Sequence, residues 1–282
     1  DYVYNLRGHD DDNHYYADDP LYHLNMEDFH KPSFRVDENG NTVEEMWSQF
    51  SKDEMKGYLA QRQYWKTDAD QNVAQIARQS IRFLEEADRN KPFFLWIDSF
   101  DPHEPWDAPS IYDDDLKCPY DPDYDGMEVW NPVSTYADNV YTDREMEHIR
   151  ALYAEKVTNV DKWLGKVLDR IRELGLERDT MVVLMSDHGE PLGNGKHGHG
   201  IVGKCRPWPY EELVHVPMII KAHGLKAGTR NSALVQNIDI TPTMMEWMNI
   251  PKDAWADMQG KSLWPLLKGE VTDIRDFLID RK

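Results

Sequence analysis

Asp187 and His188 end an apolar run and open the stretch SDHGEPLGNGKHGHGIVGK, which closes on Lys204. A carboxylate and an imidazole set where a strand runs out can point together into a cleft and share one cation. The same pair also reads as a capping aspartate beside an ordinary surface histidine. The glycines that follow permit tight turns and close approach of backbone to a ligand. Lys204, aimed into such a cleft, could neutralise a phosphate or sulfate oxygen, although in isolation it reads as a solvated surface lysine. His197 and His199 form H-x-H, a zinc-binding pattern in other settings, but neither Cys118 nor Cys205 has ligand-like spacing. A second group of candidates lies in DPHEPW. His103, held there between prolines and a tryptophan, could donate to an anion or protonate a leaving oxygen, with Asp101 and Glu104 as orienting carboxylates. Its bland reading is a loop histidine without a role.

The chain that must position these groups has 282 residues, enough for one large domain or two ordinary ones. Hydrophobic residues make up 40%, with 16 Gly and 16 Pro, a globular composition. Ten Trp and 14 Tyr suggest a large core and an aromatic-lined cleft. The 52 acidic residues outnumber the 32 basic ones for a net charge of −20, which argues against broad nucleic-acid binding. No apolar run approaches the about 18 residues of a membrane span. The start, DYVYNLRGHDDD, lacks Met and reads as a processed, cut or truncated product. Its acidic cluster, Asp10, Asp11 and Asp12, is a solvated loop or a cation site. Two cysteines settle no redox compartment, so secreted, periplasmic and cytoplasmic locations all stay open.

Val73, Ile76, Ala77, Ile81 and Leu84 recur at helical spacing and predict an amphipathic helix over about 70–88. KPFFLWIDSF predicts a strand buried on both faces, as parallel sheets require. Residues 101–141, rich in Pro, Asp and Tyr, read as a long functional loop. Thr142-Asp-Arg-Glu145 is a capping box for a helix that Gly175 stops, with an apolar stripe through Ile149, Leu152, Val160, Leu164, Val167 and Ile171. TMVVLMS and VPMIIKA predict two more strands; 240–248 and 262–267 predict short helices. Strands separated by helices predict an α/β domain with a doubly wound, mostly parallel sheet flanked by helices. In such sheets ligands gather outside the carboxyl ends of strands, where both SFDPHEPW and SDHG fall.

Several segments, taken in order, resemble the sulfatase family of the alkaline phosphatase-like superfamily. They are KPFFLWIDSFDPHEPW, YAEKVTNVDKWLGKVLDRIRELGLERDTMVVLMSDHGEPLG, HGIVGK, YEELVHVPMII and VQNIDITPTMMEWM, spanning about Asn72 to Pro251. The resemblance implies a divalent metal held in part by Asp187 and His188, calcium first and magnesium or manganese after it. It implies that Lys204 and His103 bind sulfate and serve catalysis, and that His199 contributes to substrate binding. It also implies a formylglycine nucleophile from a C/S-x-P-S/A-R motif, which neither Cys118 nor Cys205 matches. The aspartate pair of a first strand is missing as well. The chain is therefore expected to be a middle-to-late sulfatase segment, incomplete at both ends. Its expected parts are an irregular polar stretch over 1–68, an α/β core over 69–270, and the start of a C-terminal subdomain over 271–282.

The activity implied is hydrolysis of an aryl or carbohydrate sulfate ester, with little activity in this segment alone. Alternatives are a phosphonate monoester or phosphodiester hydrolase on the same scaffold, and a non-catalytic metal- or partner-binding module. A domain without its first strand would expose apolar surface, so self-association or pairing with a complementary N-terminal segment is expected. No nucleic-acid partner is expected.

Overall fold

The capping box Thr142-Asp143-Arg144-Glu145 begins a helix where the sequence places one: the Thr142 side chain accepts from the Glu145 amide at 3.3 Å, and Glu145 Oε2 accepts from Thr142 N at 2.8 Å. A computed structural model describes residues 33–36, 39, 41–46, 65–111, 116–194, 198–204 and 209–278. The acidic cluster at 10–12, Lys196, His197 and Cys205 lie outside them. In chain order the strands and helices are β1 (Ser33–Val36), β2 (Thr42–Met46), α1 (Asn72–Glu86), β3 (Thr135–Tyr136) and α2 (Asp143–Glu173). They continue with β4 (Val182–Met185), β5 (Leu192–Gly193), β6 (Ile201–Val202), α3 (Glu211–Val214), β7 (Met218–Lys221), α4 (Ile240–Trp247) and α5 (Trp264–Leu267). Two units divide these elements: Asp1–Leu174 with Glu190–Cys205, and Gly175–Gly189 with Arg206–Lys282.

In the first unit α1 packs on α2, each through the stripe its periodicity predicts. The long helix ends before Gly175, whose φ of +70° makes the left-handed turn that other residues resist. Trp163 Nε1 donates to Asp68 at 2.9 Å, and Arg170 pairs with Glu85 at 2.5 Å, so polar ties flank the apolar contact. Trp106 and Trp130, fully buried, join Ile149 and Leu152 in one core. Among its described residues the 101–141 stretch is irregular apart from two short 3-10 turns and β3, and it is bonded to α2. The ring nitrogens of His148 lie 2.9 Å and 2.8 Å from the carboxylates of Asp121 and Glu128. Arg144, bonded to Asp121, holds that carboxyl below the usual range, with His148 acting in the same direction.

In the second unit the buried carboxylate of Asp239 organises the end of the chain. It accepts from Gln236 N and Lys261 N at 2.8 Å each and pairs with Arg275 at 2.5 Å. Thr243 Oγ1 donates to Asp239 O at 2.6 Å and accepts from Leu263 N at 2.7 Å, joining α4 to the turn before α5.

The expected doubly wound, mostly parallel sheet is not what forms. Among the described residues there are three small sheets, and every ladder is antiparallel: β1 with β2, β3-β6-β5, and β4 with β7. Parallel neighbours need a crossover that returns the chain to the end it started from. Met185 instead pairs with Met218, so the chain leaves β4 and enters β7 at one and the same end. Residues 91–100 form no regular element and join no ladder among the described residues. Their burial alternates, with Phe94 and Trp96 each 67% exposed and Phe93, Leu95 and Ile97 partly covered. A continuous apolar run does not reveal whether one face or both will be covered, and here only one is. No described helix is long and apolar enough to cross a membrane.

Candidate functional site

His103 and Lys204, far apart in sequence, meet in the first unit. Lys204 Nζ bonds to His103 Nε2. Each partner is placed by local rules. Lys204 follows the β5–β6 pair, and Gly203 before it has a φ of +77° and donates to Pro191 O at 3.1 Å. A Cβ at Gly203 would run into the Ser134 side chain, so glycine is the residue that lets the chain turn there. The β6 end is also tied to the 135–139 segment, where Ala137 N donates to Gly200 O at 2.7 Å.

His103 stands in a loop held from several sides. Its amide donates to Phe100 O at 2.9 Å, and its ring stacks on Phe100 with centroids 4.2 Å apart. Nδ1 lies 2.5 Å from the Glu104 carbonyl oxygen and 3.2 Å from Glu104 Oε2. A carbonyl only accepts, and an ammonium only donates. The proton of the neutral ring therefore sits on Nδ1, and Nε2 presents its lone pair to Lys204. Of the two orienting carboxylates suggested by sequence, Glu104 touches the ring and Asp101 does not. Asp101 accepts from Val73 N at 2.9 Å and from Lys156 Nζ at 2.6 Å.

Two charged residues escape a motif-based reading. Glu190 comes directly after Gly189, and its Oε1 is buried with no hydrogen-bond partner among the described residues. Burial pushes its carboxyl up to about 8, the charge of Glu104 adds to the effect, and Lys204 opposes it. Lys156 is 2% exposed and holds Asp101 at 2.6 Å and Asp107 at 2.8 Å. Burial alone would lower its ammonium, but those two carboxylates overcome that and raise it. Removing one partner from such a buried cluster costs about 3–5 kcal/mol. A signal for Lys156 was present in the sequence: it interrupts the apolar stripe of α2 between Leu152 and Trp163.

Asp187 and His188 belong to the second unit. The Asp187 side chain is 87% exposed, with Oδ2 3.8 Å from His188 Nε2. Its Oδ1 accepts from His188 N at 2.9 Å, and His188 Nδ1 lies 2.8 Å from Gly189 O. That carbonyl holds the proton on Nδ1 and leaves Nε2 as a donor atom on the side of the carboxylate. The pair suits part of a divalent ion's shell. It supplies two donors where calcium takes six to eight, and the described residues contain no group of three or more His, Cys, Asp or Glu able to hold a metal. One oxygen and one imidazole nitrogen do not single out calcium from manganese or magnesium. His199 is exposed. Cys118 is buried, and burial pushes its thiol up to about 11.

The chain matches the sulfatase family over residues 8–250. It belongs to the sulfatase family. This sulfatase domain is 29% identical over 228 residues to the multifunctional alkaline phosphatase superfamily protein PehA of Trinickia caryophylli, covering 71% of the chain and 42% of that protein. Arylsulfatase K of Bos taurus is 28% identical over 203 residues, covering 64% of the chain and 36% of the relative. The chain thus spans less than half the length of these curated relatives. Among solved structures, the phosphonate monoester hydrolase SpPMH from Silicibacter pomeroyi superposes with a TM-score of 0.56 at 25% identity, covering 84% of the chain and 46% of that protein. The phosphonate monoester hydrolase of Agrobacterium radiobacter has the same TM-score, 0.56, at 23% identity over 72% of the chain and 43% of its own. The fold is thus an α/β alkaline-phosphatase-like one, and the chain is classed as a sulfatase-family hydrolase domain.

Proposed function

We propose that the protein carrying this sulfatase domain hydrolyses a sulfate ester, with His103 and Lys204 as the groups that receive the sulfuryl oxygens. The observation that carries this reading is the contact between Lys204 Nζ and His103 Nε2. An ammonium carries a full positive charge and only donates, so the pair presents a cation to an anionic oxygen. Lys204 stabilises charge as it shifts onto the sulfuryl group, typically the largest catalytic contribution. His103 holds its Nδ1 proton on Glu104 O, and Nε2, which accepts from Lys204, relays that ammonium proton to the alkoxide oxygen leaving sulfur. Exposed His199 stands as a further substrate contact. Asp187 and His188 would hold a divalent ion, which supplies Lewis-acid stabilisation of negative oxygen. The nucleophile in this reading is a formylglycine, and Cys118, followed by PYDP, does not fit the C/S-x-P-S/A-R motif of its precursor.

A second reading, hydrolysis of phosphonate monoesters or phosphodiesters, is favoured by the likeness to the Silicibacter pomeroyi phosphonate monoester hydrolase. The test is kcat/KM of the metal-loaded protein on an aryl sulfate, an aryl phosphonate monoester and a diaryl phosphate. Preference for the sulfate is the expected result, and preference for either phosphorus ester selects the second reading. No turnover of any of the three leaves a non-catalytic binding module and ends both.

A further inference from the structure

The residues that face the proposed anion do not by themselves explain why His103 is presented as it is. The loop carrying it is DPHEPWD, with Asp101 and Asp107 at its two ends. Both carboxylates converge on one ammonium, Lys156 Nζ, at 2.6 Å and 2.8 Å. Asn159, three residues on along the same helix, adds a second tie: its Nδ2 donates to Gln71 Oε1 at 2.5 Å, and Gln71 Nε2 donates to Asp107 O at 2.9 Å. The start of α1 adds a third, since Val73 N donates to the other oxygen of Asp101 at 2.9 Å. Inside the closed loop, Trp106 Nε1 donates to Pro102 O at 3.1 Å, and Trp106 N donates to Trp130 O at 2.5 Å.

We propose that Lys156 is a positioning residue for His103: by clamping Asp101 and Asp107 together, it sets the loop so that the Glu104 carbonyl takes Nδ1 and Nε2 faces Lys204. The proposal rests on the reading of His103 and Lys204 as the working pair. Lys156 itself is fully enclosed and touches neither the ring nor Lys204, so its influence passes through the backbone of 101–107. Two buried carboxylates without their shared cation repel each other and seek water, which opens the loop at both ends. The imidazole then loses the carbonyl that selects its tautomer, even where the surrounding core stays folded. A reacting group misplaced by about 1 Å loses about 10² in rate.

The experiment follows the ring directly. With 15N-labelled histidine in the full chain, wild-type His103 should show the spectrum of an Nδ1-protonated ring. Lys156→Met should convert it to an averaged mixture of tautomers and lower kcat on the preferred ester about 10²-fold, with KM changed far less. Lys166→Met, on the same helix but exposed against Trp163, should change neither. Should Lys156→Met fail to fold, Asp107→Asn decides: it keeps the Lys156–Asp101 pair, takes the charge from the other anchor, and should shift the same signals with a smaller fall in kcat. A folded Lys156→Met or Asp107→Asn with the wild-type His103 spectrum overturns the proposal. An altered spectrum with kcat unchanged upholds the positioning and removes His103 from the catalytic reading. Absence of turnover in the wild type leaves the spectral result to decide.

Discussion

Lys204 contacts Nε2 of His103 across 101 positions of sequence, joining the glycine-rich stretch after β4 to the DPHEPW loop. An ammonium on an imidazole nitrogen whose partner nitrogen is already occupied is a polarised pair suited to an anion. Removing one electrostatic partner of a transferring group costs about 10²–10³ in turnover. Lys204→Ala should lower ester turnover by that factor while metal content, measured by elemental analysis, stays as in the wild type. Lys196→Ala should do little. Equal losses in both variants would reduce Lys204 to a surface lysine.

Asp187 and His188 offer two donors to an ion that takes six to eight. The 282-residue chain alone should therefore bind calcium weakly, with a Kd of about a millimolar or more. In a protein with a complete ligand set, Asp187→Ala should abolish stoichiometric binding of calcium, magnesium or manganese. Calorimetric titration checks both. Tight binding by the chain alone that survives Asp187→Ala would move the site to Asp10, Asp11 and Asp12.

Cys118 gives a pH signature. Burial is the main cause that lifts its thiol from 9.0 to about 11. The folded state then holds a proton that the unfolded state releases between those two values, so this group lowers stability as pH rises from 9 toward 11. At pH 8 the native thiolate population is about a hundredfold below that of an unfolded chain. Alkylation by iodoacetamide, read at Cys118 by peptide mass spectrometry, should be at least that much slower in the native protein and should recover on unfolding. Rapid native alkylation at pH 8 would show that the thiol is neither buried nor raised.

Thr142 satisfies the first turn of α2, and its partner Glu145 reaches back to the Thr142 amide. Losing such a cap costs typically about 1 kcal/mol. Thr142→Ala should lower the urea midpoint of the first unit accordingly without changing the slope, and Thr142→Ser should restore most of it. Wild-type stability in Thr142→Ala would mean that this helix end draws its stability from packing alone.

Local signals were enough for what depends on neighbours in the chain. The helices over 72–86 and 143–173 follow from apolar spacing, the Thr142 box and the Gly175 stop, because a helix satisfies its backbone within its own segment. The family was legible too, since its motifs are short and ordered along the chain. Strand partnership was not. TMVVLMS and VPMIIKA reveal strands but not direction, and only the pairing of Met185 with Met218 makes them antiparallel. The face that Phe94 and Trp96 leave exposed is likewise decided by what lies beside the segment, which its letters do not carry. His103 and Lys204 could each be named as candidates, but their contact, the burial of Glu190 and the clamp of Lys156 on Asp101 and Asp107 come from folding alone. Side-chain chemistry is written in the sequence. Burial, which sets the strength of every charge, and adjacency, which sets its partner, arise only when distant segments pack.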